Sequence, residues 1–391
     1  MVAAALIVAV GIVRHGLAFI LIDQAPVLAA AIDGGNARAA VAAARAIADT
    51  GPRADSGAID RLVGAALKRD VTIPAAIELR ALAAAGSGDG ERADRLFHLS
   101  STISRRSLPT RMWLIQQAVD RDDVAGALDN FDIALRTSAD APPRLFPILA
   151  GAAGDPVLVP AIARVLDRQP QWGPEFVFFA IKQGHAADVA NVVLGMRGRA
   201  SLATDSLDQT LVGQLVAERR FDAARRVYTA FAGRGPTGSL ADPRFDDPSA
   251  RFPFGWTFTD GADMSAARGA GGGGSGLSYR AGPGSAGTVA SQLLMLPAGP
   301  YRLTTATAED APGGGARPYW TVTCAEVGGS QLVLLDQPAA GNTAGAATLL
   351  VPKGCPAQWL ALGLRASAEP GGQSGGIASV KIEATPRPVD R

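Results

Sequence analysis

The chain has 391 residues, 48% of them hydrophobic and 19% charged, with Lys+Arg 37 against Asp+Glu 36 and a formal net charge of +1. That length allows two or three domains, and that composition excludes wholesale disorder. The even balance of charge, with no dense Lys/Arg run, gives no electrostatic reason to expect nucleic acid. Two cysteines and three scattered histidines (His15, His98, His185) offer no metal-ligand spacing, so neither a metal nor a cofactor is expected.

Val2 to Val13 is an unbroken apolar run, followed by Arg14-His15 and a second run from Gly16 to Ile22. Twelve helical residues rise only about 18 Å, short of a ~30 Å hydrocarbon core. The stretch 2–22 is long enough, but it places Arg14 inside at about 2.5–3.5 kcal/mol. Segment 1–23 is therefore expected to be a single membrane anchor. A signal peptide without a basic n-region and an ordinary helix stay open beside it, and a start codon further upstream would supply the missing apolar and basic residues. Arg14 argues weakly for a cytoplasmic body; Cys324 and Cys355, as candidates for a disulfide, argue for one outside the cytoplasm. The cysteines carry more weight, although two buried free thiols would also pack well.

From residue 24 to 235 apolar residues recur at three- and four-residue spacing. Pro74, Pro109, Pro143 and Pro174 stand 35, 34 and 31 residues apart, each at the head of a helical stretch, where a missing N–H costs nothing. Ala93, Phe97 and Ser100 recur 34 residues later as Ala127, Phe131 and Ala134. Small–aromatic–small on one face lets a neighbouring helix approach closely. On these residues the chain resembles the tetratricopeptide-repeat family, most clearly over 74–142 and more loosely at 211–235, where Ala224 and Tyr228 take the small and aromatic places. It departs from that family in lacking the Trp-Leu-Gly-Tyr set of the first helix. The resemblance implies an α-solenoid whose concave surface binds a protein partner; a purely structural spacer is the alternative.

Beyond a short linker at 236–240 the period drops to two. "PYRLTTAT" places Tyr301, Leu303, Thr305 and Thr307 on one face, and "YWTVTCAE" does the same for Trp320, Val322 and Cys324. Further strands read at "GWTFT", "GLSYR", "TVASQLLML", "QLVLLD", "ATLLVP", "QWLALGLR" and "IASVKIEA". So many short strands with Gly/Pro punctuation point to a β-sandwich over 241–391, of jelly-roll type. A Cys324–Cys355 bond would staple its core to the 352–356 loop. The stretches "DPRFDDPSARFPFGWTF", "LLMLPAGPYRLTTATA" and "GGIASVKIEA" resemble the carbohydrate-binding-module or galactose-binding-like jelly rolls. Where those domains carry an acidic residue that helps hold a structural calcium, this chain has Ala378, which leaves Asp246 and Asp247 as the calcium candidates.

A sugar site needs exposed aromatics with polar neighbours. Of Trp256, Tyr279, Tyr301, Tyr319, Trp320 and Trp359, most fall where core packing accounts for them. Tyr319, next to the inward Trp320, is expected to face outward with Arg317 nearby, and these two are the ligand candidates. The run Gly269–Gly276 lacks the lysine and the strand–helix context of a phosphate loop. No histidine stands beside a nucleophile, and Asp122-Asp123 and Asp246-Asp247 suit turns, so no catalytic residues and no enzyme are expected.

Anchor, solenoid and sandwich in that order resemble bacterial envelope proteins linked to exopolysaccharide or surface-polymer production. The resulting expectation is a multidomain, α-then-β, membrane-tethered scaffold at the bacterial inner membrane. Its periplasmic body would recruit a protein through the helices and contact glycan through the sandwich. The alternative is a carbohydrate-binding accessory protein serving a separate polysaccharide enzyme.

Overall fold

The computed structural model describes residues 2–51, 55–198, 206–232, 240–249, 251–269, 275–308, 317–326, 328–338 and 344–385, with side chains from residue 9 onward. The chain forms two compact units, Met1–Phe176 and Val177–Arg391. Most of the stretch expected as a linker, and most of the glycine run 269–276, lie outside the described residues; only the base of that run is seen, where the Gly269 N–H donates to the Gly276 carbonyl at 2.9 Å.

The first unit is a succession of short helices. They are α1 (Val2–Leu21), α2 (Pro26–Ile32), α3 (Ala37–Ala48), α4 (Ser56–Arg69), α5 (Pro74–Gly86), α6 (Gly90–Ile103), α7 (Leu108–Asp120), α8 (Val124–Thr137), α9 (Pro142–Ala152), α10 (Val159–Leu166) and the start of α11 (Gly173–Lys182). Their starts are written locally. Asn36, Asp55, Asp89, Ser107 and Asp123 each accept a hydrogen bond from a backbone N–H of the first turn, satisfying donors that the helix itself leaves free. Prolines 74, 109, 143 and 174 all fall in first turns.

Packing runs on small residues. Ala93, Phe97 and Ser100 on α6 are buried, as are Ala127, Phe131 and Ala134 on α8. Phe97 stacks on Trp113 at 4.8 Å between ring centroids, while Phe146, Trp172 and Phe176 form an edge-on cluster further along. Over α1–α6 three separate patches are seen, Ala18–Ala29–Ala39, then Val41–Val63–Ala76–Leu79, then Ala81–Ala93–Phe97, and further along Leu114, Leu145, Phe146, Leu149 and Ile162 are buried as well.

The expected membrane anchor is corrected. Among the described residues no helix is long and apolar enough to cross a membrane. Within α1, Arg14 Nε donates to the Ile32 carbonyl at 2.8 Å, His15 Nδ1 meets Asp33 Oδ2 at 2.8 Å, and Ala18 is fully enclosed beside Ala29 and Ala39. Arg14 and His15 interrupt the apolar run and tie α1 to the end of α2. The inner-membrane location, the membrane as a partner and the membrane-tethered scaffold built on that anchor fall with it.

The second unit holds the remainder of α11, α12 (Ala186–Gly195), α13 (Leu207–Ala217), α14 (Phe221–Ala232) and a β-sandwich. The strands are β1 (Thr257–Phe258), β2 (Met264–Arg268), β3 (Leu277–Ala281), β4 (Gly287–Leu294), β5 (Gly299–Thr307), β6 (Tyr319–Cys324), β7 (Gln331–Asp336), β8 (Ala344–Val351), β9 (Gln358–Leu364) and β10 (Gln373–Ala384). They form two antiparallel five-stranded sheets, in the orders β1-β4-β9-β6-β7 and β2-β3-β10-β5-β8. Alternation sends Tyr301, Leu303 and Thr305, together with Trp320 and Val322, into one continuous core shared with Phe245, Trp256, Leu360, Leu362 and Ile382. Trp320 Nε1 donates to both Thr305 Oγ1 (3.1 Å) and Gln337 Oε1 (3.0 Å), so the one polar edge of the largest enclosed side chain is satisfied. Cys324 and Cys355 are joined in a disulfide with Cα atoms 5.5 Å apart.

Candidate functional site

The outer face of the β1-β4-β9-β6-β7 sheet gathers the polar and aromatic groups that could meet a ligand. Pairing fixes which side chains share a row. Leu334, Thr321, Ala361, Ser291 and Thr257 stand directly opposite one another across all five strands. Four inter-strand steps make this row about 19 Å long. Apart from Leu334 at the β7 edge, it carries only small side chains, three of them hydroxyls.

Two residues along the strands in one direction lies the row Asp336, Tyr319, Gly363 and Thr288; in the other direction lies Thr323, Trp359 and Leu293. Tyr319 and Trp359 therefore rise on either side of a lane of small residues, about 13 Å apart along the strand direction. Glycine at 363 gives the Tyr319 ring the room to lie where it does. A Cβ there would stand 2.7 Å from the Tyr319 hydroxyl and 2.8 Å from its Cε2, so the ring lies across the neighbouring strand. Arg365 covers it, with the guanidinium carbon 4.6 Å from the ring centroid. Arg365 is held in turn by Asp336 Oδ1 (2.5 Å) and by the Arg317 carbonyl (2.7 Å). Both partners of the Arg365–Asp336 pair keep roughly half their side-chain surface in solvent.

Of the two ligand candidates named from sequence, Tyr319 is on this face, while Arg317 contributes its main-chain oxygen to Arg365 and leaves its side chain exposed. Sequence reasoning missed Arg365, Asp336 and Trp359. Trp359 faces away from the core, although strand aromatics were assigned to packing; Phe252 stacks on it at 6.5 Å. The signal was available in "QWLALGLR", since counting by twos from Trp359 through Ala361 and Gly363 arrives at Arg365.

The Trp359 end of the face is closed by other parts of the same unit. Gly213 of α13 lies against Phe252, Tyr228 of α14 meets Phe254 edge-on at 5.1 Å, and Arg219 pairs with Glu326 at 3.8 Å. Leu293 points outward in this region and is nonetheless buried.

The candidates for calcium behave differently. Asp246 and Asp247 do not converge on a cation. Their backbone N–H groups donate to the enclosed carboxylate of Asp242 (2.7 and 3.1 Å), whose other oxygen faces Arg268 Nη2 at 3.2 Å. Arg268 also donates to the Asp247 carbonyl and lies over the Phe258 ring, so a guanidinium supplies the positive charge within this strap. Burial pushes the Asp242 carboxyl above its ordinary value, opposed by the hydrogen bonds from Asp247 and Asp246 and by Arg268. Among the described residues no group of three His, Cys, Asp or Glu could hold a metal ion. His15, His98 and His185 each sit beside an aspartate, at 2.8, 3.8 and 3.1 Å.

No protein-family model matches the chain, and no curated protein matches it. Among solved structures it is similar to the carbohydrate-binding module TmCBM61 in complex with β-1,4-galactotriose (15% identity, 38% of this chain and 99% of that one, TM-score 0.27). It is also similar to the enzymatically active domain of tailspike protein 4 from bacteriophage CBA120 (11% identity, 33% and 19%, TM-score 0.25). A third likeness is to the CBM22-1–GH10 modules of xylanase 10B from Clostridium thermocellum complexed with xylohexaose (14% identity, 39% and 28%, TM-score 0.26). The chain spans only 19% and 28% of the last two proteins. Scores this low carry no argument about function, which rests on the site itself.

Proposed function

We propose that the sandwich is a non-catalytic carbohydrate-binding module and that the chain works as an accessory protein to polysaccharide chemistry carried out by a separate enzyme. The observation that carries this reading is the cross-strand lane Thr321–Ala361–Ser291–Thr257, flanked by Tyr319 with its Arg365–Asp336 pair and by Trp359. Sugars present apolar ring faces edged by hydroxyls. A carboxylate acceptor, guanidinium donors and a floor of Thr and Ser hydroxyls match the latter, while the Tyr319 ring under Arg365 and Trp359 beside Phe252 bound the lane. The pair of opposite charges is nearly neutral as a unit, which favours an uncharged glycan over a polyanion. The helical hairpins, with their buried small–aromatic–small ladder, are read as degenerate tetratricopeptide-type repeats. A glycan array probed with the full chain tests the proposal. Reproducible binding to a defined set of neutral oligosaccharides supports it, and an array with no binding above a denatured control removes it.

A further inference from the structure

Among the described residues the helical unit encloses two charged side chains, and only one of them is answered by the opposite charge. Glu78 on α5 is 2% exposed and receives Arg45 Nη2 at 2.6 Å and the Ser107 hydroxyl. Arg111 on α7 is 5% exposed, yet its partners are neutral: the Asn130 side-chain oxygen accepts from Nη1 at 2.9 Å, and the Arg105 carbonyl accepts from Nε at 3.4 Å. Among the described residues no carboxylate pairs with it. On the adjoining helices α6 and α8, Asp94 pairs with Arg121, Asp132 with Arg136 and Asp129 with Arg168.

A second positive charge, Arg105, acts on the same guanidinium, and burial together with that neighbour pushes the Arg111 pKa down. Taking a charge out of water costs several kcal/mol unless it is paired, so buried charges are ordinarily matched. None of the Arg111 nitrogens is both enclosed and unbonded. Among the described residues Nη2 meets no acceptor, so it keeps at least a small accessible surface. Arg105 and Arg106 are exposed in the α6–α7 turn.

We infer that Arg111, with Arg105, forms a binding site for a small oxyanion at the α6–α7 turn, distinct from the glycan face of the sandwich. The ligand supplies the negative charge that the chain omits. Phosphate and carboxylate oxygens both accept charge-assisted hydrogen bonds from guanidinium N–H groups. Free phosphate and an acidic sugar are the two sources to separate.

The full chain is melted in chloride buffer with inorganic phosphate or glucuronate at matched ionic strength, and binding of radiolabelled phosphate is measured by equilibrium dialysis. At about 100 times its Kd the correct anion raises the helical transition by roughly 5–10 °C, given the linkage relation and the size of the unit. Arg111→Gln abolishes that rise. Arg105→Gln removes a like charge from beside Arg111, so it does not lower the anion-free melting temperature, and it weakens the anion response at least several-fold, which keeps the test decisive if Arg111→Gln fails to fold. A shift with phosphate alone or with glucuronate alone supports the site and names the source. No shift with either anion, or an equal shift in Arg105→Gln and the parent chain, overturns it.

Discussion

The helical unit and the sandwich bury apolar surface in opposite ways. In the first, alanines let short helices approach closely, and over α1–α6 the interior holds small separate patches, each belonging to two or three neighbouring helices. In the second, twenty-odd residues from both sheets make one continuous core centred on Trp256 and Trp320, whose rings meet edge-on at 5.8 Å, and a disulfide closes one end. A stack of repeats shares stability between nearest neighbours, so damage stays local; a sandwich core is a single cooperative object, so damage spreads. The second design holds a row of surface side chains in fixed register, which a ligand site requires.

Breaking each core in turn shows the contrast most strongly. Trp320→Ala removes the largest enclosed side chain together with its bonds to Thr305 and Gln337, for an expected loss of about 3–5 kcal/mol. The whole sandwich transition should move to lower denaturant, followed by near-ultraviolet circular dichroism. Phe97→Ala in α6 deletes comparable volume and should cost about 3 kcal/mol, yet hydrogen exchange should quicken only in α5–α7. Exchange quickening equally along all the helices would contradict a divided interior.

Opening the disulfide should have the next largest effect. Cys324 and Cys355 are 31 residues apart in sequence, and a loop of that size is worth about 3–4 kcal/mol in the chain-entropy account. Reduction, or Cys324→Ser with Cys355→Ser, should lower the sandwich transition by that amount and leave the helical one in place.

A smaller effect sharpens the picture of the strap around Asp242. Its folded carboxyl pKa lies above the unfolded value because burial outweighs the bonds from Asp247, Asp246 and Arg268. The folded state therefore holds an extra proton in that window, so this group's contribution is full below the unfolded pKa and is lost as pH rises through the folded pKa. The stability difference between the parent chain and Asp242→Asn, followed through the acidic range, should carry that downward slope. Arg268→Met should move the slope to higher pH, because one of the influences favouring the anion is gone.

Much of this architecture was legible locally. Proline spacing and the Ala–Phe–Ser/Ala ladder located the middle helices, since first-turn prolines and close helix contacts are short-range requirements. Period-two alternation located nine of the ten strands. β2 escaped because Ser265, Ala266 and Ala267 have no β-branched or aromatic side chain, and pairing with β3 and with residues 259–261 holds them extended. The apolar stretch 2–22 reads like an anchor by composition; the bonds of Arg14 and His15 to the end of α2 are tertiary and invisible to a hydropathy window. Half of the candidate site was readable for the same reason. Tyr319 announces itself beside Trp320 on one strand, whereas Asp336 and Arg365 join it only through the registers of β7 and β9.

The most direct measurement is a calorimetric titration of the full chain with an oligosaccharide selected on the array, comparing the parent with Tyr319→Ala and Ala361→Trp. Tyr319→Ala removes one wall of the lane and Ala361→Trp fills its floor; both positions face away from the core. Lane binding predicts at least a tenfold weaker Kd for Tyr319→Ala, about 1.4 kcal/mol or more, and no detectable binding for Ala361→Trp, with melting temperatures close to the parent's. Unchanged affinity in both variants would contradict glycan recognition on this face.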